Sequence, residues 1–500
     1  MTIGRPRLRR TLAVLSIGAL ALAGCGGDDN GNAGNDGSGG GKANAADCPV
    51  DAFKDANGVT TIKVWHSYVG SVRNTLEKIA NQYNASQDKV KVEVEAQGNS
   101  YDALRRNFEA GIPNRQLPAI TIAEDTNTQF MIDSRVVLPA TSCLEADPKA
   151  AEQVKDILPA IRAAYTVDGV QYPASMNAST IVLYYNRKHF AAAGLDPDKP
   201  PTTLKELREA AEKLKASGQS EKPLVMKMDP WFLEQWITGD GQEMVNNDNG
   251  RSGLATKATI DNEAGRTAMD FIASMKKDGL LNAVPGTEGQ INHYLAMLPS
   301  GSSSMLLETS AAITTINGVL TGNINPEDLG QQAGTEISGD ALKALAGDLD
   351  IGVGLNPGIT APGKGQVGGG AWYITNTGSK EVQSAAWDFV KYFNSTPVQV
   401  LWTMEGSYLP ILESAKDDPT LQKDWTTTKK GGWLATAYEG ITTLDPEFPG
   451  PLIGPYDKFR DLFRKGIETV ALQDGAPEQS LKQAQDAITK QLEEYKDNNF

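Results

Sequence analysis

Apolar and polar residues alternate along TIKVW (Thr61 to Trp65) and again along VKVEVE (Val90 to Glu95), the period of a strand with one buried face. Between them Val72, Leu76, Ile79 and Tyr83 recur at helical spacing and form one apolar stripe. A short helix near Tyr101 to Ala110 and the strand AITIA (Ala119 to Ala123) complete a strand-helix-strand-helix-strand run. That order predicts an α/β layer, in which binding residues sit on the loops that follow the strand ends.

The pattern changes near residue 168. A turn at Asp168-Gly169 leads into a β-rich stretch from Ser179 to Asn186, which reads as a crossing into a second lobe. Helical periodicity follows over Leu204 to Ser217 and Glu263 to Asp278, with Pro- and Gly-rich loops between. QVGGGAWYIT and SAAWDFVKYF then give another strand and helix, assigned back to the first lobe, and two amphipathic helices, Tyr456 to Gln473 and Pro477 to Asn498, close the chain. No internal repeat is evident.

The N-terminus has a different character. Arg5, Arg7, Arg9 and Arg10 precede an apolar run from Thr11 to Leu22 that is too short to span a bilayer but suits an export signal. Leu22-Ala23-Gly24-Cys25 resembles a lipobox, so residues 1–24 are expected to be removed and Cys25 to be diacylated, anchoring the chain to the membrane. From Gly26 to about Ala46 there is no large apolar side chain, and residues 25–58 read as a flexible tether. Cys48 and Cys143 are the two remaining cysteines; in an exported chain a disulfide between them is the simple expectation, two buried free thiols the alternative.

Charge and chemistry narrow the function. The formal net charge is −15, and the N-terminal segment takes four arginines and no acid with it, so the exported chain is more acidic still. Such a surface lacks the basic footprint of a nucleic-acid binder. Three widely spaced histidines, His66, His189 and His293, offer no metal-ligand spacing, and neither a nucleophile elbow nor a P-loop appears. No cofactor and no catalytic set is expected; paired carboxylates such as Glu124-Asp125 could serve a glycosidase, but adjacent acids are usually solvated or hydrogen-bonded instead. What remains is Trp, Tyr, Ser, Thr, Asn and Gly in loops after strands, which suits a cleft for a sugar or polyol.

Several blocks, in order, resemble the MBP-like, family 1 solute-binding proteins, and among them the glycerol-3-phosphate-binding components of Ugp-type ABC importers: VWHSYVG, GNSYDAL, NASTIVLYYN, FAAAGLDPDKPPTTLKEL, GGGAWYI, GSYLPI and the Arg460 segment. The resemblance implies a two-lobe periplasmic-binding-protein fold (type II) with a ligand cleft between the lobes. It places lobe one at residues 59–171 and 367–410 and lobe two at 172–366 and 411–500, with closure about segments near 168–175, 364–368 and 409–413. It also implies a small-molecule ligand, permease subunits served by a separate ATPase, and a monomer that is not an enzyme.

Carried over position by position, the resemblance implies ligand contacts at Tyr101, Glu124, Ser179, Gly369, Tyr408 and Arg460, and at Thr309 or its neighbour Ser310. Arg460 suits phosphate through parallel charge-assisted hydrogen bonds, and Glu124 suits glycerol hydroxyls. Where the family's glycerol-3-phosphate binders have tryptophan, this chain has Leu204. That departure points to a roomier pocket and a glycerophosphodiester such as glycerophosphocholine, with Trp65, Tyr68, Tyr101 and Asp102 as a cradle for the cationic head group and Trp231 as a further wall. The competing expectation is a neutral oligosaccharide receptor on the same fold, in which Arg460 stacks on sugar.

Overall fold

The computed structural model describes residues 44–287, 294, 296–297, 301–324 and 338–499. Two sheets organise the chain. The first contains β1 (Thr60–His66), β2 (Val90–Ala96), β3 (Ile120–Glu124), β4 (Val137–Leu138) and β13 (Gly370–Thr375) in the order β2-β1-β3-β13-β4, with β7 (Ala174–Ser175) also paired to β13. The second has the order β10-β9-β11-β8-β12, from β8 (Ile181–Asn186), β9 (Leu224–Lys227), β10 (Leu281–Val284), β11 (Met305–Thr309) and β12 (Ile351–Leu355). A two-stranded hairpin, β5 (Thr166–Val167) and β6 (Val170–Gln171), turns at Asp168-Gly169.

The two sheets share a plan. β1, β2 and β3 run parallel, and so do β9, β10 and β11, as strand-helix-strand connections require. In each sheet the strand that enters from the other lobe runs antiparallel to its neighbour: β13 against β3, and β8 against β11. Glu124 thus ends β3 beside Gly370 at the start of β13, and Thr309 ends β11 beside Ile181 at the start of β8. Both strand ends lead into a 3-10 turn, Asp125–Asn127 and Ser310–Ala312, and then a helix.

Each sheet is half of a packed layer. The alternation in β1 buries Ile62 and Val64 under the helices Gly70–Ser86, Lys380–Phe393 and Thr396–Gly406, with Trp372, Phe389, Phe393 and Trp402 filling the space. In the second lobe, Leu204–Ala216, Pro230–Gly239, Glu263–Lys277, Tyr456–Gln473 and Pro477–Asn499 bury their apolar stripes against β8, β9 and β11. A third apolar cluster continues from Ala123 and Ala371 to Val182 and Tyr184, joining the inner sides of both lobes. Cys48 and Cys143 form a disulfide that fastens the start of the described chain to the helix Ala140–Ala146.

The crossings lie side by side. Ser179 and Gly368 exchange main-chain hydrogen bonds of 2.8 and 3.2 Å, and Ala178 pairs in the same way with Leu409. The chain passes from the first sheet to the second between Ser175 and Ile181, while the Asp168-Gly169 turn closes the small hairpin. Among the described residues no helix is long and apolar enough to cross a membrane. Cys25, the export signal, most of the tether and His293 lie outside the described residues.

Candidate ligand-binding site

The charged half of the site is built where β3 ends opposite the helix Tyr456–Gln473. Arg460, in the second turn of that helix, sends Nε and Nη2 to the Glu234 carboxylate at 3.0 and 2.8 Å. Its Nη1 donates to Glu124 at 2.9 Å, so one guanidinium binds a carboxylate from each lobe. The Tyr456 ring lies 5.1 Å from the guanidinium carbon, a cation–π arrangement that fixes its plane.

Glu234 is an acid inside the apolar helix Pro230–Gly239, and its side chain has no exposed surface. It also accepts from the Tyr456 hydroxyl at 3.4 Å and from Gln366 Nε2 at 3.3 Å. Burial pushes its carboxyl above the ordinary value and Arg460 pulls against that. For Arg460 burial opposes the charge, but Glu234 and Glu124 outweigh it and hold the guanidinium protonated. Asp125, whose amide donates to Gly369 at 3.2 Å, has its carboxyl held well above the usual range by burial first and by the neighbouring Glu124 charge second.

The aromatic half belongs to lobe one. Tyr68 packs edge-on to Tyr101 with ring centres 6.1 Å apart, and 5.6 Å from Tyr408, which in turn stacks on Trp402 at 5.8 Å. The Tyr101 hydroxyl donates to that of Tyr68 at 3.2 Å, and Asn177 Nδ2 donates to the same oxygen at 2.9 Å. Burial raises the Tyr68 and Tyr101 hydroxyls and pushes Tyr408 up to about 12, so all three stay neutral and keep their protons to donate.

The glycine triplet joins these halves. Asn177 Oδ1 accepts from the Gly370 amide at 2.8 Å. A Cβ at Gly370 would lie 2.9 Å from the Tyr101 hydroxyl and 3.0 Å from that of Tyr68, so any side chain there would push the tyrosine hydroxyls aside. Gly369 has a φ of +128°, which any side chain would strain, and a Cβ there would meet Asn177. The half-buried Trp231 ring lies against Gly368, next to the Ser179 hydroxyl.

Tyr68, Tyr101, Glu124, Ser179, Trp231, Gly369, Tyr408 and Arg460 are therefore drawn around one region. The other expected contacts have these partners in the fold. Leu204 opens the helix Leu204–Ala216 with its amide on Gly358, is 5% exposed, and packs with the apolar residues of lobe two. The first apolar position of an amphipathic helix faces its sheet, so the ring-to-leucine departure alters core packing. Ser310 is fully buried with its hydroxyl on the Thr180 amide, and the Thr309 hydroxyl caps the following turn at the Ala311 amide. Trp65 donates to Glu95 at 3.1 Å on the outer side of β1, and Asp102 is exposed in the first turn of Tyr101–Gly111. Glu234, Asn177 and Gln366 escaped notice in the sequence; the signal for Glu234 was an acid within PWFLEQWITG, where an unpaired charge would be costly.

Comparison with known proteins accords with this architecture. The family model described as bacterial extracellular solute-binding protein matches residues 78–429. The sn-glycerol-3-phosphate-binding periplasmic protein UgpB of Brucella abortus is 26% identical over 423 residues, covering 80% of this chain and 89% of that protein. Its counterpart from Yersinia pestis is 23% identical, covering 85% and 91%. Among solved structures, UgpB from Mycobacterium tuberculosis in complex with glycerophosphocholine aligns with a TM-score of 0.67 at 16% identity, over 88% of this chain and all of that one. The sugar-binding protein MalE from Xanthomonas citri gives 0.68 at 16% identity, over 87% and 98%. A two-lobe fold, a polar and aromatic constellation drawn from both lobes, and a family match over more than half its length together establish that this chain belongs to the bacterial extracellular solute-binding proteins.

Proposed function

We propose that this chain is the extracytoplasmic receptor of an ABC importer and that its cargo is a glycerophosphodiester or glycerol 3-phosphate. The observation that carries the reading is Arg460: a largely buried guanidinium bonded to carboxylates of both lobes, Glu124 at 2.9 Å and Glu234 at 2.8 Å. A phosphate that replaces Glu124 on the guanidinium keeps charge-assisted hydrogen bonds there, and frees Glu124 to accept from glycerol hydroxyls. The neutral tyrosine hydroxyls and the aromatic faces of Tyr68, Tyr101 and Tyr408 suit the polar backbone and a quaternary ammonium head group. The names of the Brucella and Yersinia relatives and the glycerophosphocholine complex from M. tuberculosis support the same ligand class.

In this reading lobe one is residues 59 to about 177 and 367–410, its first boundary moved beyond 171 because Ala174–Ser175 pairs with the first sheet, lobe two is the rest to 366 and 411–500, and the lobes close over solute about the adjacent crossings. Cys25 carries the lipid anchor, the tether runs from there to about residue 44 and is shorter than expected because Cys48 is bonded to Cys143 and Phe53 is buried in the lobe-one core, and the loaded monomer docks on permease subunits whose energy comes from a separate ATPase. A neutral oligosaccharide is the second reading. It is favoured by Trp231, whose half-buried ring offers a sugar a stacking face, and by an Arg460 whose charge Glu234 already balances. A thermal-shift panel separates them, since a ligand at a hundredfold its Kd adds about 2.7 kcal/mol to the folded state. Glycerophosphodiesters raise the midpoint under the first reading; a rise with maltooligosaccharides and none with any phosphorylated polyol establishes the second.

A further inference from the structure

We infer that Glu234 sets the charge of the phosphate the cleft accepts: held rigidly on one edge of Arg460, it favours a singly charged phosphodiester over a doubly charged phosphomonoester. The inference rests on the reading above, that phosphate seats on Arg460. Glu234 and Glu124 bind the same guanidinium but differ in freedom. Glu234 has no exposed side-chain surface and is held by Arg460 through two nitrogens, by Tyr456 and by Gln366. Glu124 is a quarter exposed, bonds Arg460 through one nitrogen only, and belongs to the opposite lobe. An incoming anion therefore displaces Glu124 and leaves Glu234 in place.

Arg460 and Glu234 then cancel, and the phosphate enters a region without net positive charge. Among the described residues, the groups that act on Arg460 and Glu234 beyond each other are acidic or neutral: Glu124 and Asp125 from lobe one, Asp229 near Glu234, and the neutral Tyr456, with the neutral Tyr408 close to the same acids. Arg251, which borders the same small cavity as Asp125, Gln366 and Tyr456, directs its donors to the main-chain carbonyls of Ala163, Ala164, Thr166, Pro449 and Gly450. A diester brings one negative charge to this environment. A monoester above its second pKa of about 6 brings a second, which gains no partner and lies beside a fixed carboxylate.

The test is calorimetric titration of the folded chain, wild type, Glu234→Gln and Glu234→Asp, with glycerophosphocholine and glycerol 3-phosphate at about pH 7.5 and pH 5.5, either side of the monoester's second pKa. The wild type is expected to favour the diester, and its affinity for the monoester to rise severalfold on acidification. In Glu234→Gln the diester preference shrinks by about tenfold or more and the acid dependence flattens, while Glu234→Asp retains both. A purely structural role for Glu234 would weaken both ligands alike. A diester-to-monoester ratio unchanged within about twofold in Glu234→Gln, or a wild type whose monoester affinity is indifferent to pH, overturns the inference. Were Glu234→Gln not to fold, the wild-type pH dependence and Glu234→Asp still decide it. A wild type that binds neither phosphate refutes the functional reading itself, an outcome distinct from binding both without discrimination.

Discussion

Replacing Arg460 by methionine keeps the aliphatic stem and removes the only ionised partner bonded to Glu234 among the described residues; the Glu234 side chain is wholly buried. Leaving one member of a buried ion pair uncompensated costs about 3–5 kcal/mol. Spread over the unfolding entropy of about 450 residues, that lowers a cooperative thermal midpoint by about 3–5 °C. The pH dependence gives the assignment a signature. Burial raises the Glu234 carboxyl above 4.5 and Arg460 is the influence that opposes it, so in Arg460→Met the raising influences act alone. A carboxyl with a raised folded pKa holds its proton more tightly folded than unfolded, so stability falls as pH climbs from the unfolded value to the folded one. The deficit of Arg460→Met is thus largest near neutrality and shrinks on acidification toward about pH 5. Urea unfolding followed by tryptophan fluorescence measures it, and Glu234→Met in the same background completes a double-mutant cycle. The double variant is expected within about 1–2 kcal/mol of wild type, because no buried charge is left. Stability of Arg460→Met within about 0.5 kcal/mol of wild type, or simple additivity in the cycle, refutes the argument.

Further outcomes follow from the same structure. Converting Cys48 and Cys143 to alanine opens a 95-residue covalent loop and is expected to cost roughly 4–5 kcal/mol by the chain-entropy account, read from urea unfolding of the double variant. Leu204→Ala is expected to cost about 2–5 kcal/mol of stability while leaving the ratio of ligand affinities unchanged, as a core position should. Gly370→Ala places a methyl against the Tyr101 and Tyr68 hydroxyls and is expected to weaken ligand binding about tenfold in calorimetry, with about 1–3 kcal/mol of overpacking. If Cys25 is the proposed lipid anchor, the native chain is expected to fractionate with membranes and to carry diacyl mass at Cys25, and Cys25→Ala to lose both.

The layer architecture was legible because each early element carries its own period: β1, β2 and the helix Gly70–Ser86 fall within three residues of where alternation and the Val72-Tyr83 stripe place them. The helix Tyr456–Gln473 coincides with its reading for the same reason. The first crossing was less legible, because Asp168-Gly169 is a genuine turn signal that serves a local hairpin, while the crossing between Ser175 and Ile181 depends on pairing with Gly368 and Leu409, far away in the chain. The site divides along the same line. Arg460, Glu124 and the tyrosines could be named from residue type and resemblance, but nothing local tells Leu204, at the start of an amphipathic helix, from a cleft residue, or reveals that Glu234 faces Arg460 across 226 positions. Thr309 occupies in the second sheet the strand-end place that Glu124 occupies in the first, and its hydroxyl accepts from the turn that follows while keeping its own proton to donate.

The central claim is that this solute-binding protein captures a phosphorylated polyol on Arg460. Calorimetric titration of the folded chain with glycerophosphocholine, beside Arg460→Lys, tests it most directly, because lysine keeps the charge and loses the planar fork. The account predicts saturable one-to-one binding by the wild type and a loss of about tenfold or more in the variant. Wild-type protein that gives no heat with glycerophosphocholine or glycerol 3-phosphate, yet binds a maltooligosaccharide with equal strength before and after the substitution, would contradict it.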